Sequence, residues 1–234
     1  MKNRDLIIAH LKISALILED EATHRGINFQ AYRIKLDESC SILGLKKDMD
    51  WVLVSSYPDK TLMRNAVAHE MAKQLEYLEY TPTHILIELY LNGEYRGVYT
   101  IAEKIEFGGG KIRGYNGWCG VDNTFSYLGK NGKTWYHFLF KYPSFTSRFA
   151  ERWDEVKDTL LQTALDTIDT QYKAVLGAQT RNFDRWDILN KKIGAGNVDH
   201  RTYNTFDLQV EYLREFINTR YNWIDENISE FRLQ

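Results

Sequence analysis

Short apolar runs and one abrupt change of period organise the first half of the chain. Residues 11–18 and 31–36 are rich in Ile, Leu and Tyr, and 51–56 (WVLVSS) is a third run, all of strand length and separated by polar loops. At Asp59 the period lengthens: Met63, Val67, Met71, Leu75 and Leu78 recur at three- and four-residue spacing on one face. That spacing predicts a helix capped by Asp59 and ended by Thr81-Pro82. Ile85, Ile87, Leu89 and Leu91 then alternate with polar or aromatic residues up to Asn92-Gly93, a hairpin dipeptide because both residues tolerate positive φ. Residues 95–105 return as the second strand, which gives a twisted antiparallel sheet carrying one long helix.

Beyond Tyr142 the apolar period is helical. Residues 147–172 carry Phe149, Trp153, Val156, Leu160, Leu161, Leu165 and Ile168; residues 206–231 carry Val210, Leu213, Phe216, Ile217, Ile224 and Ile228. A loop with two glycines, KKIGAGNVDH, lies at 191–200. The expected architecture is therefore α+β in two lobes: a sheet-plus-helix lobe over 1–107, a Gly-rich bridge over 108–134 and a helical lobe over 135–234.

Composition narrows the function. A net charge of -2 without a Lys/Arg run argues against nucleic acid as a partner. Cys40 and Cys119 are far apart with no CxxC spacing, which points to two free thiols rather than a zinc site or disulfide. The opening MKNRDLIIAHLKISALILED is interrupted by His10 and Lys12, so it suits a strand better than a signal-peptide core, and no run approaches the roughly 20 apolar residues of a membrane span. The expectation is a soluble protein.

Few residues carry candidate chemistry. Arg33 and Lys35 share one face of the strand in YRIKLD, where such cations ordinarily point at water. Glu70 falls on the flank of the helix's apolar stripe, where a partly covered carboxylate needs a partner. A sheet Lys and a helix Glu are the pair that orients nucleotide phosphates in kinase-like folds, so both readings of Lys35 stay open. Asp122-Asn123 in GVDNTF offers hard oxygen ligands to Mg²⁺, and equally makes a common turn pair. GGGK at 108–111 lacks the phosphate-loop spacing and reads as a connector. The six histidines form no HxxxH or HExxH pair, and Ser126 has no nucleophile elbow. Trp153, Trp186 and Trp223 lie in apolar helical segments and are expected to pack in the core.

In order along the chain, YRIKLD, WVLVSSYPDKTLMRNAVAHEMAKQL from Trp51 and ELYLNGEYRGVYTIAEKI from Glu88 resemble the spore coat protein H (CotH) kinase family. PSFTSRFAERW from Pro143, NFDRWDIL from Asn182 and EYLREFINTRYNWIDENI from Glu211 resemble the family's closing helices. The resemblance implies a two-lobed, atypical protein-kinase-like fold that uses ATP and Mg²⁺ or Mn²⁺. It implies Lys35 as the phosphate-contacting lysine, Glu70 as its helix partner, and Asp122 with Asn123 on the metal. A protein substrate or a coat or surface assembly partner would follow, with a location in the cytoplasm or at the spore or cell surface.

Two departures matter. Gly120 stands where the family's first metal-binding Asp is usual, and Ser126 where Gly is usual. Only 16 residues separate Ile105 from Asp122, too few for the two helices and catalytic loop that the family carries there. The chain therefore resembles a shortened member with no assignable catalytic residue. It reads as a weak protein kinase or as a pseudokinase or assembly module that keeps the scaffold, with a plain structural remnant as the third possibility.

Overall fold

A computed structural model describes residues 7–11, 17–18, 31–76, 78, 81–103, 138–193 and 202–232. Strands β1 (Ile7–Leu11), β2 (Ile17–Leu18), β3 (Tyr32–Ser41), β4 (Lys47–Ser55), β5 (His84–Leu91) and β6 (Glu94–Glu103) form one sheet in the order β1-β5-β6-β4-β3-β2. The four strands β3 to β6 pair antiparallel, as the sequence pattern predicts. β1 adds to β5 in parallel, a direction that a short apolar run does not encode.

β3 and β4 run well past the apolar segments 31–36 and 51–56. Their polar outer ends pair with each other, Cys40 opposite Asp48 and Ser41 opposite Lys47, beyond an irregularity after Lys35. Backbone hydrogen bonding rather than side-chain burial sustains the ladder there. The β5–β6 turn has Asn92 at φ 53° and Gly93 at φ 86°, the two positive angles of a type I′ hairpin.

Alternation along the strands gathers Tyr32, Ile34, Trp51, Leu53, Ile87 and Ile101 into one buried cluster. Leu86, Val98, Thr100 and Ala102, on the opposite face, are buried as well, so β5 and β6 are covered on both sides. Helix α1 (Arg64–Lys73) packs against β5 and is 10 residues long, shorter than the period over 63–78 suggests. Its N-cap position is Met63, which has no capping side chain. Asp59 caps from further out: Oδ2 accepts the Arg64 N–H at 2.8 Å and Oδ1 accepts the Thr61 N–H at 2.9 Å. The chain leaves α1 through i→i+3 turns, Gln74 N–H to Met71 and Leu75 N–H to Ala72, which end the helix before Leu78 and leave that side chain exposed.

Helix α2 (Pro143–Arg185) has 43 residues and continues well beyond 147–172. Its extension buries Val175 together with Ala178 and Asn182, and the last two are small or polar side chains that the large-apolar pattern does not register. Helix α3 (Phe206–Asn227) runs into a 3₁₀ turn, Ile228–Phe231. The chain forms two compact units, one of residues 1–107 and 163–212 and the other of 108–162 and 213–234. In the second, Ala150, Ile228 and Phe231 pack with Phe140, Phe149, Trp153 and Ile224. Among the described residues no helix is long and apolar enough to cross a membrane.

Candidate functional site

The β3–β4 register places Lys35 opposite Asp50 and Arg33 opposite Val52, so these four positions share one face of the sheet. The Arg33 guanidinium grips both oxygens of Asp50 through Nε and an Nη. The carboxylate opposite Lys35 is thereby committed. Lys35 is exposed and forms no ion pair among the described residues, which leaves a cation without an internal counter-ion. Such an ammonium suits a phosphate, and it equally suits water.

Glu70 stands half-buried on α1. Its Oε1 accepts from Lys73 Nζ at 2.6 Å and lies 3.8 Å from His84 Nε2. Lys35 and Glu70 are therefore not brought into an ion pair in this structure; the helix carboxylate is held by its own turn. His69, one residue before Glu70, meets His84 of β5 edge to face, with ring centroids 4.6 Å apart. Burial holds both imidazoles below the ordinary histidine range, His84 to about 4, with Lys73 lowering both further and His69 acting on His84.

Between α1 and the sheet, Val52, Val54, Asn65, His69, Thr100 and Ala102 line a cleft of about 340 Å³. That volume is at the small end of ligand pockets. Val52 puts the cleft on the face that carries Lys35. Glu103, on its rim, is already engaged by the backbone N–H and hydroxyl of Thr83.

A second constellation lies further along β5 and was not legible in its sequence. Glu88 is 2% exposed, and both its oxygens are bonded: Arg181 Nε donates at 2.9 Å, an Arg181 Nη at 2.6 Å and the Tyr95 hydroxyl at 3.0 Å. Burial and the neighbouring carboxylate push the Tyr95 hydroxyl pKa up, so the tyrosine stays a donor. Just beyond, Asn182 Oδ1 accepts the Val98 N–H at 2.9 Å and Trp186 Nε1 donates to the Arg96 carbonyl at 3.1 Å. The two side chains close over Gly97, whose φ is +110° and where a Cβ would lie 2.7 Å from Trp186 Nε1. Lys60, 4% exposed, donates to the Leu189 carbonyl at 2.8 Å.

These contacts bind the end of α2 to the β5–β6 hairpin, and its following turn to the segment between β4 and α1. Trp186 is thus a half-buried clamp rather than a core residue, and Trp153 likewise donates its indole N–H, to Asp225 at 3.1 Å. Trp223 is also half-buried, with the Arg220 guanidinium 4.8 Å from its ring. The expectation of core packing holds for Trp153, which packs against Ala150, Ile228 and Phe231 while bonding Asp225, and is corrected for Trp186 and Trp223. No local pattern pairs Glu88 with an arginine 93 residues away.

Asp122, Asn123, Gly120, Ser126, Cys119 and the GGGK run lie outside the described residues. Cys40 is an exposed free thiol. Among the described residues no group of three or more His, Cys, Asp or Glu is placed to hold a metal. A protein-family model described as CotH kinase protein matches residues 25–109 and 121–224. Among curated proteins, none matches the chain.

Proposed function

Because the chain belongs to the CotH kinase protein family, we propose that it binds ATP with Mg²⁺ or Mn²⁺ and transfers the terminal phosphoryl group to Ser or Thr of a protein. Family membership carries the kinase-like reading. The observation in this chain that supports a nucleotide is Lys35, a cation on the cleft's face of the sheet whose facing carboxylate is held by Arg33. Lys35 would contact the phosphates, with Glu70 as its helix partner after exchange from Lys73. Asp122 and Asn123 would hold the metal, which on binding supplies charge neutralisation at the phosphate oxygens.

The sequence favours a second reading, a pseudokinase or assembly module. The 16 residues between Ile105 and Asp122 leave no room for a helical catalytic segment, and Gly120 supplies no carboxylate. The break in the family match, at 110–120, falls in the same stretch. Loss of one positioned base or metal ligand commonly costs two or more orders of magnitude in rate.

Thermal unfolding with millimolar ATP, with and without Mg²⁺, tests both readings. At 100 times its Kd a nucleotide adds about 2.7 kcal/mol, a shift of several degrees. Lys35→Ala and Asp122→Ala should each remove most of that shift; its absence in the unmodified protein sinks nucleotide binding altogether. Transfer of labelled phosphate from ATP, lost in Asp122→Ala, separates the kinase from the pseudokinase.

A further inference from the structure

The contact between α1 and β5 contains two imidazoles whose Nδ1 atoms have no acceptor for a second proton. His84 has a side chain only 4% exposed, and it packs edge to face on His69 at 4.6 Å. Nδ1 of each ring is buried without a hydrogen-bond partner. A neutral imidazole carries one N–H, and a protonated one carries two. Protonation therefore turns an unpaired nitrogen into an unpaired, charged donor in a place closed to water.

The surrounding charges do not reverse this. From α1, Lys73 opposes a cation and Glu70 favours one, but Glu70 Oε1 already accepts from Lys73 and is 3.8 Å from His84 Nε2, beyond hydrogen-bond range. From β6, Glu103 favours a cation but is engaged by Thr83. From α1, His69 also opposes a charge on His84.

We propose that His69 and His84 form an acid-sensitive latch that holds α1 on the sheet and thereby fixes the position of Glu70. The consequence for phosphate binding rests on the nucleotide reading given above; the latch itself does not. Loss of the latch releases the only helix described between β4 and β5, while the β5–β6 hairpin keeps its own ladder.

The sign follows from the neutral folded state. A group whose folded pKa is lowered stabilises fully above its unfolded value, 6.5, and loses that contribution as pH falls toward about 4 for His84. Each pH unit in that window favours α1 release by up to about tenfold through His84, and His69 adds in the same direction. A range of pH 7 to 5 keeps the carboxylates mostly ionised.

Hydrogen exchange of the α1 amides, expressed as protection factors and read against those of β5 and β6, tests the proposal on the intact chain. From pH 6.5 to 5, α1 protection should fall about 15-fold through His84 alone while the hairpin stays constant. In His84→Phe the fall should shrink to that of His69. Should that variant not fold, the imidazole ¹³C shift of His84 in the unmodified protein replaces it, with a midpoint well below 6 expected. Flat α1 protection, a parallel fall in the hairpin, or a His84 midpoint near 6.5 overturns the latch. ATP plays no part in these readouts, so failure of nucleotide binding leaves a separate result.

Discussion

In the unit built on the sheet, polar side chains are taken out of water and given dedicated partners: Glu88 with Arg181 and Tyr95, Asn182 with Val98, Lys60 with Leu189. In the unit of residues 108–162 and 213–234, charge stays largely at the surface, as in Arg148 with Glu151 and Glu155 or Arg232 with Asp154. Packing there falls to an aromatic group in which Phe140 meets Phe145, Phe149 and Phe231 at 5.0 to 5.2 Å. A buried polar contact is costly when one partner is lost, because the other cannot return to water. An exposed one is replaced by solvent at little cost. The first unit should thus be brittle to single polar changes and the second tolerant of them.

The sharpest break in the first unit should come at Gly97. A valine there would force a β-branched residue to a φ of +110° and drive its Cβ into Trp186 and Asn182, 2.7 and 2.8 Å away, where both side chains are making hydrogen bonds. Strain of this kind costs about 1–3 kcal/mol before the lost bonds are counted, so Gly97→Val should lower unfolding free energy by about 3 kcal/mol or more in a urea titration. A loss below 1 kcal/mol would mean the clamp yields freely.

Arg181→Ala should come next. It strips two of three donors from a carboxylate that is 2% exposed, although the arginine side chain itself is 50% exposed. Partial exposure reduces the penalty from the 3–5 kcal/mol of fully buried pairs to about 2 kcal/mol. The double variant Glu88→Leu with Arg181→Leu should recover most of it, since no charge is then stranded. Equal losses in the single and double variants would show that packing, not the ion pair, holds this point.

The sequence made β3 to β6 visible because the apolar part of each advertises itself locally, whereas β1 and β2 lie at Ile7–Leu11 and Ile17–Leu18 rather than over 11–18. WVLVSS and HILIELYL bury residues that neighbour them in sequence, and Asn92-Gly93 announces its own turn. The partners did not advertise themselves. Glu88 alternates with Ile87 and Leu89 like any outward-facing residue, and its burial is decided by Arg181, far away in the chain. His69 and His84 form no metal-ligand spacing, yet the packing of α1 on β5 makes them a pair. On the candidate site, local sequence placed Lys35 on its sheet face, and the i,i+3 spacing of Glu70 and Lys73 allows the pair that holds Glu70, whereas the approach of Glu70 to His84 depends on packing. Long-range pairing of side chains is a property of packing, which periodicity does not record.

The gentlest test of the contrast is Lys157→Met in the second unit. Lys157 Nζ donates to Asp225 and lies 3.5 Å from Asp154, and Asp225 also accepts from Trp153. Lys157, then Trp153, hold the Asp225 carboxyl below its usual range. A depressed carboxyl pKa stabilises above the unfolded value, 3.8, and that contribution is lost as pH falls through the lower folded value. Because the pair is open to solvent, its removal should cost under 1 kcal/mol at neutral pH. The difference between variant and parent should shrink between about 0.05 and 1 M NaCl, where the screening length drops to a few ångströms. It should also vanish in acid once Asp225 is protonated in both. A salt-independent loss above 2 kcal/mol would instead place Asp225 with Glu88 as a carboxylate that depends on its partner, and the distinction between a brittle unit and a tolerant one would no longer hold.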